Sequence, residues 1–105
     1  KELFSSYSFT DEVTKEAMKE IHVNSGYVAD PHGAVGYLGL KKYGLSENEL
    51  GIFLETAHPV KFLDVVEETL NVKVAIPLQI MKVKDKEKVA IQIASYEELK
   101  EFLKR

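Results

Sequence analysis

The sequence predicts an α/β fold, or α+β for the chain taken alone: mostly helices, with two or three short strands. Three observations carry that expectation. Gly51-Ile52-Phe53-Leu54 is a short uncharged apolar run that suits a strand buried on both faces. A polar turn, Glu55-Thr56-Ala57-His58-Pro59, ends it, and Phe62, Val65, Val66 and Leu70 then recur at helical spacing. A buried strand that passes through a polar turn into a helix is where open α/β sheets place ligands. The N-terminus of such a helix also offers free N–H groups to an anion.

In chain order, residues 1–9 (KELFSSYSF) form a lead-in whose Leu3, Phe4, Tyr7 and Phe9 need something to pack on. From Thr10 to about Asn24 the spacing predicts a surface helix. Thr10 or Asp11 caps it, Val13, Ala17 and Ile21 face inward, and Gly26 suits the left-handed position just past the end. Asp30-Pro31 starts a second helix, Asp as cap and Pro at the first helical position. Its segment HGAVGYLGLKKYG is apolar nearly all round and carries Gly33, Gly36 and Gly39 on one side. Each glycine costs about 1 kcal/mol against alanine inside a helix. Three of them imply very close backbone packing or the approach of a ligand, and packing is the simpler account. The spacing is not that of a phosphate-binding glycine loop.

Ser46 and Glu49 are placed to cap a single turn before the apolar run. A helix is expected from Pro59 to about Leu70. Val72–Ile76 reads as strand or extended chain, and Leu78–Met81 as a short helix. KVKDKEK (residues 82–88) reads as a solvated loop. Val89–Ile93 is the second clear strand candidate, and Ser95-Tyr96-Glu97-Glu98 opens a last helix with Leu99, Phe102 and Leu103 inward.

Composition narrows the function. Lys+Arg 14 against Asp+Glu 17 leaves a net charge of −3 with both signs mixed, which gives no basic footprint for nucleic acid and no polybasic membrane patch. There is no cysteine, hence no thiolate nucleophile, disulfide framework or zinc–thiolate site. His22, His32 and His58 lack ligand spacing, so no metal site is expected. No apolar run approaches the roughly 20 residues of a membrane span, and the expectation is a soluble cytoplasmic protein. The chain is one small domain or a piece of a larger one; its start at Lys1 suits an excised segment.

The residues themselves resemble a known family. ETAHPVKF closely resembles the ETAHPxKF segment of the threonine synthase family, and GYVADPHGAVGYLGL resembles that family's GYxxDPHxAVGYxAL. TDEVTKEAMKEI resembles the helix ahead of that string, and SYEELKEFL the C-terminal YExLKxFL helix. The likeness runs in the same order over nearly all of the chain and is loosest from Val74 to Lys88. It implies that residues 1–105 are a single C-terminal piece, roughly the last quarter, of a threonine synthase of bacterial and fungal type. The fold implied is the large domain of a fold-type-II pyridoxal-phosphate (PLP) enzyme, tryptophan-synthase-β-like.

The activity implied for the parent is conversion of O-phospho-L-homoserine and water into L-threonine and phosphate, with PLP supplying the carbanion chemistry. Family members hold PLP as a Schiff base on a lysine in an SFKD-like motif of the N-terminal half. No such motif occurs here, so no catalytic residue lies in this chain and the piece alone is expected to be inactive. Thr56 is the candidate partner of the PLP pyridine nitrogen, because a hydroxyl can donate to an unprotonated ring nitrogen. His58 and Lys61 are candidates for the substrate phosphate, with capping and solvent exposure as their plainer roles. Asp30 and His32 open the glycine-bearing helix, where relatives carry a short acidic-Pro segment near the cofactor, and are further substrate-pocket candidates, with capping as the plainer role of Asp30. Glu55 would point away from Thr56 along an extended strand, which favours a structural hydrogen bond.

A second reading is a free-standing small α/β binding or interaction domain that shares the ancestry without the catalysis. The lysine-bearing half separates the two. A piece cut from a larger core is also expected to expose apolar surface and to associate with itself.

Overall fold

A computed structural model describes residues 4–105; Leu3, part of the aromatic lead-in, lies outside the described residues. Helix α1 (Asp11–Ser25) begins at Thr10, whose Oγ1 accepts the Val13 N–H at 3.4 Å. Asp11 and Glu12 set negative charge in its first turn, where the helix dipole favours it. Gly26 ends the helix at φ 72°, a left-handed conformation that suits glycine, and its N–H returns to the His22 carbonyl. The buried face is Thr14, Ala17, Met18 and Ile21. Val13, expected inward, is 39% exposed. A row of every fourth residue drifts round a helix of 3.6 residues per turn, and the buried stripe follows residues 14, 17, 18 and 21 instead.

Helix α2 (Pro31–Tyr43) packs across α1. Tyr37 Oη donates to Glu20 Oε1 at 2.8 Å, and Lys41 Nζ reaches both Glu20 oxygens at 2.8 and 2.9 Å, fastening the pair at its rim. The expected helix from Pro59 is divided. A 3-10 turn, Pro59–Phe62, precedes α3 (Leu63–Leu70), because Phe62 leaves the helical region at φ −127°. Its ring lies 4.9 Å from that of His32. Helix α3 packs against α1, and the buried core is small: Ala17, Met18, Ile21, Ala29, Ala34 and Val66.

No strand forms among the described residues. Gly51–Leu54, Val72–Ile76 and Val89–Ile93, the expected strands, run without a paired strand, the Val74 N–H donating instead to Glu67 Oε1 at 3.0 Å. A strand is held by a partner's backbone groups, and this chain offers these segments none. The short helix α4 (Leu78–Met81) forms as expected, and residues 82–88 are exposed throughout. Helix α5 (Tyr96–Leu103) is capped as expected, Ser95 Oγ accepting the Glu98 N–H at 3.2 Å. Its expected inward face is not covered: no residue of α5 is buried, and Leu103 is 72% exposed. The caps are local chemistry; the cover requires another layer.

The dimensions agree with that. The radius of gyration is 18.6 Å, against about 13 Å for a self-contained domain of this length. The accessible surface is 9004 Å², against about 5,900 Å² for a folded monomer of this mass. The 105-residue chain on its own is therefore expected to bind a hydrophobic dye and to elute as an associated species on size exclusion; a compact, dye-silent monomer would contradict this reading of the fold.

Candidate functional site

The site is built where the segment after α2 turns back along it. Residues 51, 53 and 55 face α2 in succession. A Cβ on Gly51 would meet the Leu40 and Leu45 side chains, one on Gly36 would lie 3.3 Å from Phe53 Cβ, and one on Gly33 would collide with the Glu55 carboxyl. Every second residue of an extended chain thus meets α2, two of them at glycines three apart. Two of the three glycines serve this approach. Around Gly39 there is open space.

The alternation sends the other residues outward. Ile52 and Leu54 are each 76% exposed, and Thr56 is exposed on the same side. Gly36, Gly39, Leu40, Tyr43, Leu50 and Ile52 border an open groove of about 650 Å³.

Glu55 reaches the start of α2. Its Oε1 accepts the Asp30 N–H at 2.9 Å. Asp30 is completely buried, and its Oδ1 accepts the His32 N–H at 2.7 Å and faces His32 Nδ1 at 3.0 Å. Sequence reasoning therefore placed the Asp30 cap correctly and left out what sits on it. The remaining oxygens, Asp30 Oδ2 and Glu55 Oε2, are buried without a partner. Burial first, then the charge of Asp30, pushes the Glu55 carboxyl above the usual carboxylate range. Burial, followed by the charges of Glu55 and Asp30, likewise pushes the Tyr27 hydroxyl up.

His58 caps the 3-10 turn. Its Nδ1 accepts the Val60 N–H at 3.1 Å, which assigns the ring proton to Nε2 and leaves that N–H as an exposed donor. Lys61 lies exposed in the same turn, its backbone N–H donating to the His58 carbonyl at 3.0 Å. The structure thus gathers Asp30, His32 and Glu55 into one cluster, with Thr56, His58 and Lys61 on the exposed turn that follows. The signals for Glu55 in the sequence were only partial: a glycine three residues after a capping aspartate, and a carboxyl ending an apolar run. Among the described residues no group of three or more His, Cys, Asp or Glu is placed to hold a metal ion.

Comparison with known proteins gives a single result. The family model described as threonine synthase, C-terminal, matches residues 33–103. A threonine synthase of Buchnera aphidicola subsp. Schizaphis graminum is 39% identical over 97 residues, covering 91% of this chain and 22% of that protein. The threonine synthase of Escherichia coli K12 is 40% identical over 70 residues, 67% of this chain and 16% of that one. A crystal structure of threonine synthase from Escherichia coli superposes with a TM-score of 0.75 at 33% identity, over 90% of this chain and 22% of that chain. The chain spans about a fifth of the length of these relatives.

The glycines of α2 are expected to separate under substitution. Gly33→Ala forces the Glu55 carboxyl off the α2 start and costs about 1–3 kcal/mol. Gly39→Ala meets open space in this chain and gains up to about 1 kcal/mol. Loss of the helical circular-dichroism signal in denaturant distinguishes the two.

Proposed function

The chain belongs to the threonine synthase family, matching its C-terminal part, and from that premise we propose that it is the C-terminal segment of a PLP-dependent enzyme converting O-phospho-L-homoserine and water into L-threonine and phosphate. The observation that carries the site is the alternation along residues 51–56, which turns the half-buried Glu55 toward α2 and leaves Thr56 exposed.

The donor set suits the cofactor. An exposed hydroxyl beside buried carboxyls is a neutral donor for a pyridine nitrogen. A carboxylate in that place would hold the nitrogen protonated. PLP, when bound, supplies the electron sink for carbanion chemistry. In this reading the Thr56 hydroxyl would donate a hydrogen bond to the ring nitrogen and so orient the ring. His58 Nε2–H and the Lys61 ammonium line the approach for the substrate phosphate, one as a directional donor and the other as a mobile charge. Asp30 and His32 hold the α2 start in place.

The lysine that anchors PLP lies in the part of the parent that precedes this segment, so this segment alone is inactive. The outward residues Ile52 and Leu54, with Val89–Ile93, take their place in a sheet supplied by that part. The accessible surface of 9004 Å², against about 5,900 Å² for a folded monomer of this mass, favours a piece of a larger core over a free-standing binding module. No described helix is long and apolar enough to cross a membrane, and we place the parent in the cytoplasm.

Borohydride reduction of the natural protein that carries this chain is expected to fix a PLP-sized mass on a lysine outside residues 1–105. A natural product of this length alone, with no adduct, would remove the catalytic reading. In the same protein Thr56→Val is expected to weaken cofactor retention by about 2- to 10-fold, and Thr56→Ser to restore it. Equal retention in both variants would remove Thr56 from the site.

A further inference from the structure

Two carboxyl groups from segments 25 residues apart meet at the start of α2. Glu55 Oε1 accepts the Asp30 N–H, which brings the Glu55 side chain to the residue that caps α2. Asp30 is wholly buried, and each group keeps one buried oxygen without a partner, Oδ2 on Asp30 and Oε2 on Glu55. Two ionised carboxylates here would place like charges in contact and leave an oxygen of each desolvated, which is costly on both counts. A single proton would remove both costs: carried on Glu55, it would give an O–H for Asp30 Oδ2, the other buried oxygen without a partner.

The proton's location follows from the other partners. Asp30 Oδ1 already accepts the His32 N–H and faces His32 Nδ1. Glu55 accepts one N–H. Asp30 is therefore the acceptor of the pair and Glu55 the donor. The backbone of Gly33, on which no Cβ stands in the way, lets the Glu55 carboxyl come this close.

We propose that Glu55 and Asp30 meet through one shared proton, and that this pair is the latch seating the Glu55–His58 turn on the start of α2. Glu55 is then a positioning residue: by holding its own side chain inward it fixes Thr56 outward. The consequence for Thr56 rests on the PLP reading above; the latch itself does not. The charged and titratable groups facing Glu55 are Asp30, His32 and Tyr27. Asp30 and burial oppose ionisation of Glu55, and a protonated His32 favours it. Because the folded carboxyl titrates above its unfolded value of 4.5, its stabilisation is complete below that pH. It is lost as pH rises through the raised value.

The test uses the natural protein carrying this chain, with its glutamate side-chain carboxyls labelled with carbon-13 and titrated by NMR. The Glu55 signal is assigned by its loss in Glu55→Gln. It is expected to remain that of a protonated acid above the ordinary glutamate range, and to move back toward that range in Asp30→Asn, whose amide donates to an ionised Glu55. A second readout is hydrogen exchange at the Asp30 N–H, the group bonded to Glu55. Glu55→Gln, whose amide can donate to Asp30 Oδ2, should keep its protection and remove its dependence on Glu55 titration. Glu55→Ala should lose the protection. A Glu55 that is ionised throughout, as a cationic side chain from elsewhere in the protein would make it, overturns the proposal. So does Asp30 protection equal in Glu55→Ala and the unaltered protein. Neither readout involves the cofactor, so failure here is distinct from failure of the borohydride experiment.

Discussion

The close seating of an extended segment on the glycine side of α2 is the constraint on which the rest of the structure depends. A helix presents a side chain to one face every three or four residues, and an extended chain presents one every second residue. The two periods coincide here because Gly33 and Gly36 offer backbone where other residues would offer side chains. The helix forgoes about 1 kcal/mol of propensity at each glycine. In return the segment comes close enough for Phe53 to pack on Gly36 and for Glu55 to reach the Asp30 N–H. Hydrophobic contact and a hydrogen bond are fixed in the same register, and a slip of one residue would exchange Glu55 for Thr56.

That register has an outer side, and the outer side explains the shape of the chain. Leu50, Ile52 and Leu54 are 88%, 76% and 76% exposed, an apolar row that water does not reward. The same holds for α5, whose apolar stripe has a good cap behind it and nothing in front. Six buried apolar residues make up the core around α1, α2 and α3, too few for the whole chain to be held by burial. The uncovered surfaces are ordered along the chain as the inner faces of a larger molecule would be.

What the sequence disclosed, and what it withheld, divides along this line between local and distant. The Thr10, Asp30 and Ser95 caps and the Gly26 terminus depend on neighbours within four residues, and each forms as read. The expected strands did not form, because a strand depends on a second chain segment that residues 4–105 do not contain. Val13 was misplaced for a smaller reason: a four-residue row was followed where the buried stripe also uses a three-residue step. At the site, Asp30, His32 and the opposed directions of Glu55 and Thr56 were legible. The union of Glu55 with Asp30 was not, because 25 residues separate them and only the path of the chain over Gly33 joins them.

Under the proposed PLP reading, this path also bears on how the chemistry would be distributed along the chain. A neutral donor toward a cofactor nitrogen must be held without a carboxylate competing for the same position. Here the carboxyl next to the hydroxyl in sequence is drawn to the opposite side of the backbone and given its own N–H. It is received at the α2 start, beside the buried Asp30 that caps the helix. Thr56 is left free because Glu55 is not. The hydroxyl and the carboxyl are therefore one device: a substitution that unseats Glu55 changes what faces outward as surely as a substitution of Thr56 itself.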